Sequence, residues 1–412
     1  MYLVALTCII TGIVPARNGI ERFEMYRGLV EGRAAGIVAH HASVAGTGDA
    51  VEFLTRRGVR LLRVFSPEHG FQGKADAGEH VDDARAGVLP VISLYGKKVS
   101  PSREDLKGIE VMIFDLQDVG TRFYTYLSTL HHVMAACARE GIPLIVMDRS
   151  NPHAASVEGP VLREEFRSFV GMHPVPILYG MTIGEYARMI NGEGWLGKGT
   201  RCDLTVIPCE HWRRGDPVVF PRAPSPNLPD STSVMLYPSL CLFEGTVVNE
   251  GRGTMTPFQV FGHPDLVDMP YCYTPRAIAG MSLSPKCEGV PCRGMDLRDQ
   301  YLTVRDGQRV NLSWLLRAYR SYRGASPFFL PLFDLLAGSD ALRRDIIAGK
   351  NEEEIRASWG PELEQFLVVR QRYLIEDYDG MPRGDFHQER VFSPRPPAPG
   401  PLLPGCHSIK RD

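Results

Sequence analysis

The sequence predicts an α/β protein with a Rossmann-like, doubly wound parallel sheet, followed by a second, smaller α+β domain. Two observations lead to this fold class. From about residue 35, short apolar runs alternate with amphipathic stretches, as in parallel strands covered by helices. After about residue 258, this alternation gives way to segments that carry proline and cysteine. The first part therefore predicts one buried sheet, and the second part predicts a separate unit.

The elements of the sheet follow in chain order. Six apolar runs are interpreted as strands: AGIVAH (35–40), VRLLRVFS (59–66), VLPVISLY (88–95), EVMIFDLQ (110–117), PLIVMDR (143–149) and LTVIPC (204–209). The helices predicted between them are DAVEFLTRRG (49–58), RFYTYLSTLHHVMAACAREG (122–141) and TIGEYARMINGEG (182–194). Each of these three segments ends at or near a glycine, which is common at helix ends. Later helices are predicted near 311–322, 328–337 and 352–376.

The length of 412 residues favours two domains, because single hydrophobic cores stop growing near about 250–300 residues. We predict a Rossmann-like catalytic domain at residues 18–258 and a C-terminal auxiliary domain at residues 259–393. Residues 394–412 are predicted to form a proline-rich tail.

Composition and motifs argue against several functional classes. A formal net charge of -2 offers no basic excess for binding nucleic acid. GTGDAV (46–51) lacks the third glycine of a dinucleotide-binding turn, and the sequence contains no P-loop lysine motif and no G-x-S-x-G motif. The nine cysteines include no CxxC pair, and the pairs His40-His41 and His131-His132 lack metal-ligand spacing, so no metal or cofactor is expected. The apolar residues 1–14 are too short to span a bilayer, and no stable membrane insertion is expected.

Polar side chains follow three of the predicted strands. In an open parallel sheet, ligands bind beyond the carboxyl ends of the strands. The candidates after the second, fourth and fifth apolar runs are Glu68 and His69; Asp115, Gln117, Asp118 and Arg122; and Asp148, Arg149 and Asn151, followed by Glu158. We therefore predict that three adjacent strand ends direct acidic groups into one crevice.

Paired carboxyl groups in a crevice are typical of glycosidases. Cleavage of a glycosidic bond needs one acid to protonate the leaving oxygen and commonly a second group as base, nucleophile or charge stabiliser. Glu68 lies in a Pro-Glu-His-Gly sequence that favours a fixed, exposed acid, and we predict Glu68 and Glu158 as the catalytic pair. Tyr124 and Tyr126 offer aromatic faces or hydroxyls to a sugar ring. At positions i and i+2 of a helix they would not share a face, so one of them is expected in the core.

Two later segments have the composition of loops that form binding sites: APSPNLPDS (223–231) and CLFEGTVVNEGRGTMTPF (241–258). They supply Glu244 and Glu250 as further acids. Arg252 lies between two glycines, where its guanidinium can approach a ligand carboxylate with two N–H groups. For each of these three residues, the alternative is a charged side chain exposed to solvent on an ordinary loop.

Eight ordered motifs identify a family resemblance: SPEHGFQG (66–73), FDLQDVGTRFYTYLSTL (114–130), MDRSNP (147–152), VEGPVL (157–162), SFVG (168–171), GMTIGEYA (180–187), PSPNLP (224–229) and CLFEGTVVNEGRGT (241–254). In this order they resemble the NamZ-type exo-β-N-acetylmuramidases, from about residue 18 to residue 380. The resemblance implies a Rossmann-like N-terminal domain, a smaller C-terminal domain and an active cleft between them. It also implies release of N-acetylmuramic acid (MurNAc) from the non-reducing end of peptidoglycan fragments such as MurNAc-GlcNAc.

The resemblance also implies roles for particular residues. Glu68 and Glu158 fall on the positions of the leading catalytic candidates, with Glu68 as general acid. One of the three arginines in the predicted site is expected to recognise the lactyl carboxylate that distinguishes MurNAc from GlcNAc. The predicted substrate-binding residues are His69, Arg122, Tyr124, Asp148, Arg149, Asn227, Glu244, Glu250 and Arg252.

Four positions depart from the family pattern. His40 replaces the start of an Asn-Gln-Thr-Gly turn, Ser150 a proline, Tyr179 a histidine and Val247 an asparagine. These departures leave the exact sugar preference open, and they keep a second hypothesis: a non-catalytic or altered-specificity amino-sugar-binding protein. An ester or amide hydrolase is a third hypothesis, without an evident nucleophile. The resemblance favours export, whereas a genuine N-terminus would favour the cytoplasm. The sequence does not predict the oligomeric state.

Overall fold

The structure, a computed structural model, describes residues 16–73, 84–87, 89–197, 199–307 and 309–379. The strands are β1 (Ala34–Ala39), β2 (Val44–Ala45), β3 (Gly48–Asp49), β4 (Arg60–Ser66), β5 (Ala84–Ala86), β6 (Leu89–Ser93), β7 (Val111–Asp115), β8 (Leu144–Met147), β9 (Val157–Glu158), β10 (Leu178–Tyr179), β11 (Leu204–Ile207), β12 (Val260–His263), β13 (Tyr271–Tyr273) and β14 (Cys292–Asp296). The α-helices are α1 (Phe23–Val30), α2 (Ala50–Arg56), α3 (Arg103–Leu106), α4 (Tyr126–Glu140), α5 (Ile183–Gly192), α6 (Ser231–Leu240), α7 (Tyr301–Gly307), α8 (Ser313–Ser321), α9 (Leu332–Ala337), α10 (Ala341–Ile347) and α11 (Glu352–Gln371). The predicted tail at 394–412 and the apolar stretch at 1–14 lie outside the described residues.

The main sheet has the strand order β11-β8-β7-β1-β4-β6-β5. The first six of these strands are parallel, and β5 adds an antiparallel edge. The chain runs outward from β1 through β4 to β6, crosses back over β1, and runs outward again through β7 and β8 to β11. This is the doubly wound order of Rossmann-like sheets, and the predicted fold class is confirmed. The order reverses between β1 and β7, which is where such sheets bind ligands beyond their strand ends.

All six predicted strands are present in this sheet, with ends that differ by a few residues. They form because each is a short apolar run that can be buried on both faces of the sheet; all six residues of β1 are buried, for example. The expected adjacency of three strand ends is wrong in one respect, because β1 separates β4 from β7. The segment after β1 therefore contributes to the same edge as Glu68.

The C-terminal part contains a three-stranded antiparallel sheet in the order β12-β14-β13 and helices α7 to α11. It packs directly against the main domain, since one hydrophobic cluster contains residues from both, including Phe123, Tyr237, Phe261 and Phe333. The three predicted late helices correspond to α8, α9 and α11. Within the described part of the chain, every helix is too short or too polar to cross a bilayer.

Candidate active site

Glu68 lies in a tight turn directly after β4. The Gly70 N–H donates a hydrogen bond to the Pro67 carbonyl oxygen at 3.1 Å. His69 and Gly70 both adopt left-handed backbone conformations, with φ of 69° and 71°. This conformation is unfavourable for a residue with a side chain such as histidine, and residues held in it cluster at functional sites. The turn thus holds Glu68 at the carboxyl end of β4, beside the reversal in strand order.

The Glu68 carboxylate is oriented by two hydroxyl groups. Thr125 Oγ1 donates a hydrogen bond to Glu68 Oε2 at 2.7 Å, and the Tyr95 hydroxyl is also hydrogen-bonded to the carboxylate. Thr125 lies just before α4, and Tyr95 follows β6. Burial, together with the Glu68 charge, raises the pKa of Tyr95, so Tyr95 remains a neutral hydroxyl donor at neutral pH. Three segments from the carboxyl edge of the sheet therefore meet at Glu68.

A group of histidines forms the neighbouring wall. His40 and His41 follow β1, and their Nδ1 atoms lie 3.3 Å apart. His40 Nδ1 is also 3.5 Å from the Tyr126 hydroxyl, and His69 Nε2 is 3.1 Å from Ser225 Oγ. Burial, with the charges of nearby cationic groups, lowers the pKa of His40 well below its usual value, so this imidazole is neutral. Among the described residues, no three His, Cys, Asp or Glu side chains are arranged to hold a metal ion.

A charged cluster formed by Glu244, Glu250, Arg252 and Lys286 lies on the loops after α6. Arg252 Nε and Nη2 lie 3.0 and 2.5 Å from Glu244 Oε1, and Arg252 Nε lies 3.2 Å from Glu250 Oε1. Lys286 Nζ lies 2.7 Å from Glu250 Oε2. The guanidinium carbon of Arg252 is 5.0 Å from the centre of the Phe258 ring. Arg252 Nη1 is buried and has no hydrogen-bond partner among the residues that the structure describes, which is unusual for a buried guanidinium nitrogen.

Tyr95 connects this charged cluster to Glu68. The charges of both Glu68 and Glu244 raise the pKa of Tyr95, and the charge of Arg252 lowers it, so all three groups lie within electrostatic range of one phenol. Glu68, Glu244 and Arg252, which the sequence predicts as site residues, therefore all act electrostatically on Tyr95. Glu250, a further acidic candidate from the sequence, is ion-paired with Arg252.

Asn227 is linked to His69 through the Ser225 hydroxyl. Its N–H donates to Ser225 Oγ at 3.2 Å, and the same hydroxyl contacts the His69 imidazole. Asn227 Nδ2 donates to the Met281 carbonyl oxygen at 2.7 Å. Its Oδ1 is buried and has no hydrogen-bond partner within the described ranges, which leaves an acceptor for a ligand hydroxyl or amide.

Arg122 does not line this site. It is fully buried, and its Nη1 donates to the carbonyl oxygens of Pro160 and Val175 at 2.7 and 2.8 Å, while Nη2 donates to the carbonyl oxygen of Leu336 at 2.7 Å. Burial lowers the pKa of Arg122 to about 9. Both terminal nitrogens are thus used to join three segments of the fold. The predicted role of Arg122 in substrate binding is corrected to a structural one.

Arg149 and Asp115 form a buried ion pair. Arg149 Nε and Nη2 lie 2.7 and 2.8 Å from the two carboxylate oxygens of Asp115, and Nη2 also donates to the Val44 carbonyl oxygen at 2.9 Å. Only 2% of the Arg149 side chain and none of the Asp115 side chain is exposed. This guanidinium holds the loop after β1 to the end of β7, so its predicted contact with substrate is likewise corrected.

Asp148 is bonded within the fold as well. Its carboxylate accepts hydrogen bonds from Thr182 Oγ1 and the Tyr378 hydroxyl, both at 2.7 Å, and from the Gly184 N–H at 2.8 Å. Burial, followed by the charge of Glu185, raises the pKa of Asp148 to about 6. The residue therefore fixes the start of α5 against the end of β8, and the structure does not place it in the cluster around Glu68.

Tyr124 is buried, but it lies next to the histidine wall. Helix α4 begins at Tyr126, so Tyr124 precedes the helix and the two rings contact each other with centroids 4.5 Å apart. The expectation that they point in different directions is wrong, because it assumed a helix that begins at residue 122. Tyr124 donates to the Pro224 carbonyl oxygen at 2.9 Å, which holds the 223–231 loop against the sheet edge.

Glu158 has partners from the C-terminal part of the chain. Its carboxylate forms an ion pair with Arg356 of α11 and accepts a hydrogen bond from the Val310 N–H at 2.9 Å. Arg356 also bonds to Glu352. Only 13% of the Glu158 side chain is exposed. These contacts differ from those of Glu68 and give Glu158 a role in joining β9 to α11, so they do not support the predicted catalytic pair.

Replacement of Glu158 distinguishes these two roles. We expect Glu158→Gln to lower the stability by about 1–2 kcal/mol, since the ion pair is lost while the acceptor for the Val310 N–H is kept. We expect kcat/KM to stay within about threefold. Thermal melting and steady-state kinetics measure both effects, with Glu352→Gln as the matched control at the same arginine. A loss of turnover as large as that of Glu68→Gln, with an unchanged melting temperature, would restore the catalytic pair.

Several site residues were not identified from the sequence. Tyr95, Thr125 and Lys286 contact the predicted residues, but each lies in a segment that was interpreted for another purpose. Tyr95 ends the apolar run VLPVISLY, Thr125 lies inside a predicted helix, and Lys286 lies within the irregular stretch after residue 258. Only Tyr95 had a signal in its position, because a residue just beyond a strand belongs to the ligand edge of the sheet.

Comparisons with known proteins agree with this architecture. Residues 35–232 match the family model of the N-terminal part of the exo-beta-N-acetylmuramidase NamZ, and residues 235–375 match the model of its C-terminal part. The chain is 37% identical over 375 residues to the peptidoglycan beta-N-acetylmuramidase NamZ of Bacillus subtilis (strain 168), covering 85% of this chain and 88% of that protein.

Two crystal structures from Bacteroides fragilis NCTC 9343 are similar, both of DUF1343 family proteins. BF0379 has a TM-score of 0.81 and 37% identity, covering 89% of this chain and 99% of that chain. BF0371 has a TM-score of 0.70 and 26% identity, covering 87% and 98%. Since both family models match in order along most of the sequence, the chain belongs to the NamZ family.

Proposed function

We propose that the protein is an exo-acting glycoside hydrolase that releases terminal MurNAc from the non-reducing end of peptidoglycan fragments such as MurNAc-GlcNAc. Its membership in the NamZ family supports the reaction class. The observation that carries the mechanism is the position of Glu68 on a strained turn at the ligand edge of the sheet, with two hydroxyl groups bound to its carboxylate.

Glu68 acts as the general acid in this proposal. Cleavage of a glycosidic bond requires a proton on the leaving oxygen, and a positioned carboxylic acid within hydrogen-bond reach supplies it. The hydroxyls of Thr125 and Tyr95 limit the rotation of the Glu68 side chain. A carboxyl group held in this way is ready to meet the linkage without further ordering.

A second acidic function fits Glu244 better than Glu158. Glu244 acts on the same phenol, Tyr95, as Glu68 does. Its Oε1 is bound by Arg252, whereas its Oε2 accepts a hydrogen bond from the weak donor Cys241 Sγ at 3.6 Å. In Glu250, by contrast, both oxygens are bound by cationic side chains. Glu244 is therefore proposed as the group that stabilises positive charge at the sugar or the acetamido group during cleavage.

Arg252 is proposed to bind the lactyl carboxylate of MurNAc. Three arginines are predicted for this role. Both terminal nitrogens of Arg122 are hydrogen-bonded inside the fold, and Arg149 is ion-paired with Asp115. Arg252 retains a buried Nη1 that has no partner in the described part of the chain, and its charge acts on Tyr95. A charge-assisted hydrogen bond from this nitrogen distinguishes MurNAc from GlcNAc, which lacks the carboxylate.

Product analysis tests the function. Incubation with MurNAc-GlcNAc is expected to give free MurNAc and GlcNAc by mass spectrometry, and intact peptidoglycan is expected to release MurNAc from chain ends only. The Glu68→Gln variant is the control for a contaminating hydrolase. Calorimetric binding of the disaccharide without any product after prolonged incubation would favour the sugar-binding alternative.

The family resemblance and the substrate support export as the proposed location.

A further inference from the structure

Three half-buried aromatic side chains form a row that begins at Glu68; we call Tyr95, Phe169 and His132 the aromatic strip. The Tyr95 and Phe169 ring centroids are 5.8 Å apart. The Phe169 and His132 rings are stacked, with centroids 6.1 Å apart and an interplanar angle of 15°. The Tyr95 hydroxyl is bound to Glu68, so one end of the strip touches the proposed general acid and the other leads away from it.

Phe169 is held on a tight turn formed by the SFVG motif. The Ser168 N–H donates to the Gly171 carbonyl oxygen at 2.8 Å, and the Gly171 N–H donates to the Ser168 carbonyl oxygen at 3.1 Å. Ser128 Oγ of α4 donates to the Phe169 carbonyl oxygen at 2.6 Å. The motif has no polar group in the site described above. Its backbone geometry instead presents an aromatic ring at a fixed place.

The strip rests on a rigid support. His132 is carried by α4, and its carbonyl oxygen accepts a hydrogen bond from Ser100 Oγ at 3.3 Å. The preceding residue, His131, contacts His173 through Nδ1 and Nε2 at 2.9 Å. His173 is in turn stacked on Trp195 with ring centroids 4.6 Å apart. These half-buried rings are therefore ordered before any ligand arrives, which reduces the entropy that binding must overcome.

We propose that the aromatic strip binds the sugar units of the glycan beyond the cleaved linkage, on the leaving-group side of Glu68. Half-buried aromatic rings offer apolar surface to the C–H faces of pyranose rings, and this row of contacting rings begins at the proposed general acid. This inference rests on the proposed function. If Arg252 holds the terminal MurNAc in the half-buried charged cluster, the rest of the glycan must leave along another surface, and the strip provides one.

Substrate length tests the proposal. We compare kcat/KM for a chromogenic MurNAc glycoside, which has no sugar beyond the linkage, with kcat/KM for the tetrasaccharide MurNAc-GlcNAc-MurNAc-GlcNAc. Phe169→Ala is expected to reduce the tetrasaccharide-to-chromogenic ratio about tenfold, mainly through KM, since one aromatic contact is lost. Phe169→Trp, which keeps a flat ring, is expected to restore most of the ratio.

Phe166→Ala is the matched control, because Phe166 is half-buried on the neighbouring 3₁₀ helix and lies outside the strip. It is expected to leave the ratio unchanged. An equal loss on both substrates, or an unchanged ratio in Phe169→Ala, would overturn the strip as a sugar-binding surface while leaving the proposed hydrolase intact. Absence of MurNAc release by the unaltered protein from either substrate would contradict the proposed function itself.

Discussion

Glu68→Gln is expected to lower kcat/KM for MurNAc-GlcNAc by about 10³-fold, because glutamine keeps the shape of the side chain but cannot donate a proton to the leaving oxygen. The amide can still bond to Thr125 and Tyr95, so the melting temperature should change little. Steady-state kinetics with product quantification measure this effect. Glu158→Gln, the same change at the other predicted acid, serves as the comparison.

The leaving group provides a sharper form of the same test. In a dinitrophenyl MurNAc glycoside, the leaving group is dinitrophenolate, which departs without being protonated. Glu68→Gln should therefore lose far less activity on this substrate than on the disaccharide. Equal losses on both substrates would show that Glu68 does not act as the general acid. Near-normal turnover of the disaccharide would remove Glu68 from the mechanism altogether.

Arg252→Lys is expected to lower kcat/KM for a MurNAc glycoside by about 10²-fold and to change kcat/KM for the corresponding GlcNAc glycoside much less. Lysine keeps the positive charge between Glu244 and Glu250 but cannot reproduce the planar arrangement of donors that leaves Nη1 for a carboxylate. The measured quantity is the ratio of the two specificity constants, which removes any common loss of folded protein.

Arg149→Lys is the control for this experiment. It disturbs the buried pair with Asp115 and is expected to reduce stability without altering the MurNAc-to-GlcNAc ratio. The role of Arg252 would be rejected if its lysine variant left that ratio unchanged. Equal hydrolysis of both glycosides by the unaltered protein would show that the lactyl carboxylate is not recognised at all.

The parallel sheet could be predicted because its strands are buried on both faces and therefore appear as continuous apolar runs. Helix α6 could not be predicted in the same way. Eight of its ten residues are buried and it contains Pro238, so it has no polar face to give a helical period. The order in which strands join also follows from packing, which is why the position of β1 between β4 and β7 emerged only from the structure.

The site was partly predictable for a related reason. Glu68 follows a recognisable strand, so its place at the ligand edge follows from topology. Arg122 follows a strand as well, but its burial depends on Leu336, which is 214 residues away in the sequence. Glu158 is similarly occupied by Arg356. Sequence position indicates which residues reach the edge of the sheet, whereas the partners that neutralise them come from distant segments.

A crystal structure of the Glu68→Gln variant with bound MurNAc-GlcNAc tests the central claim most directly. We expect the side chain at position 68 to lie within about 2.6–3.2 Å of the glycosidic oxygen, with the lactyl carboxylate on Arg252 and the GlcNAc ring beside Tyr95. A disaccharide bound with its linkage away from position 68, for example beside Glu158 and Arg356, would contradict the account.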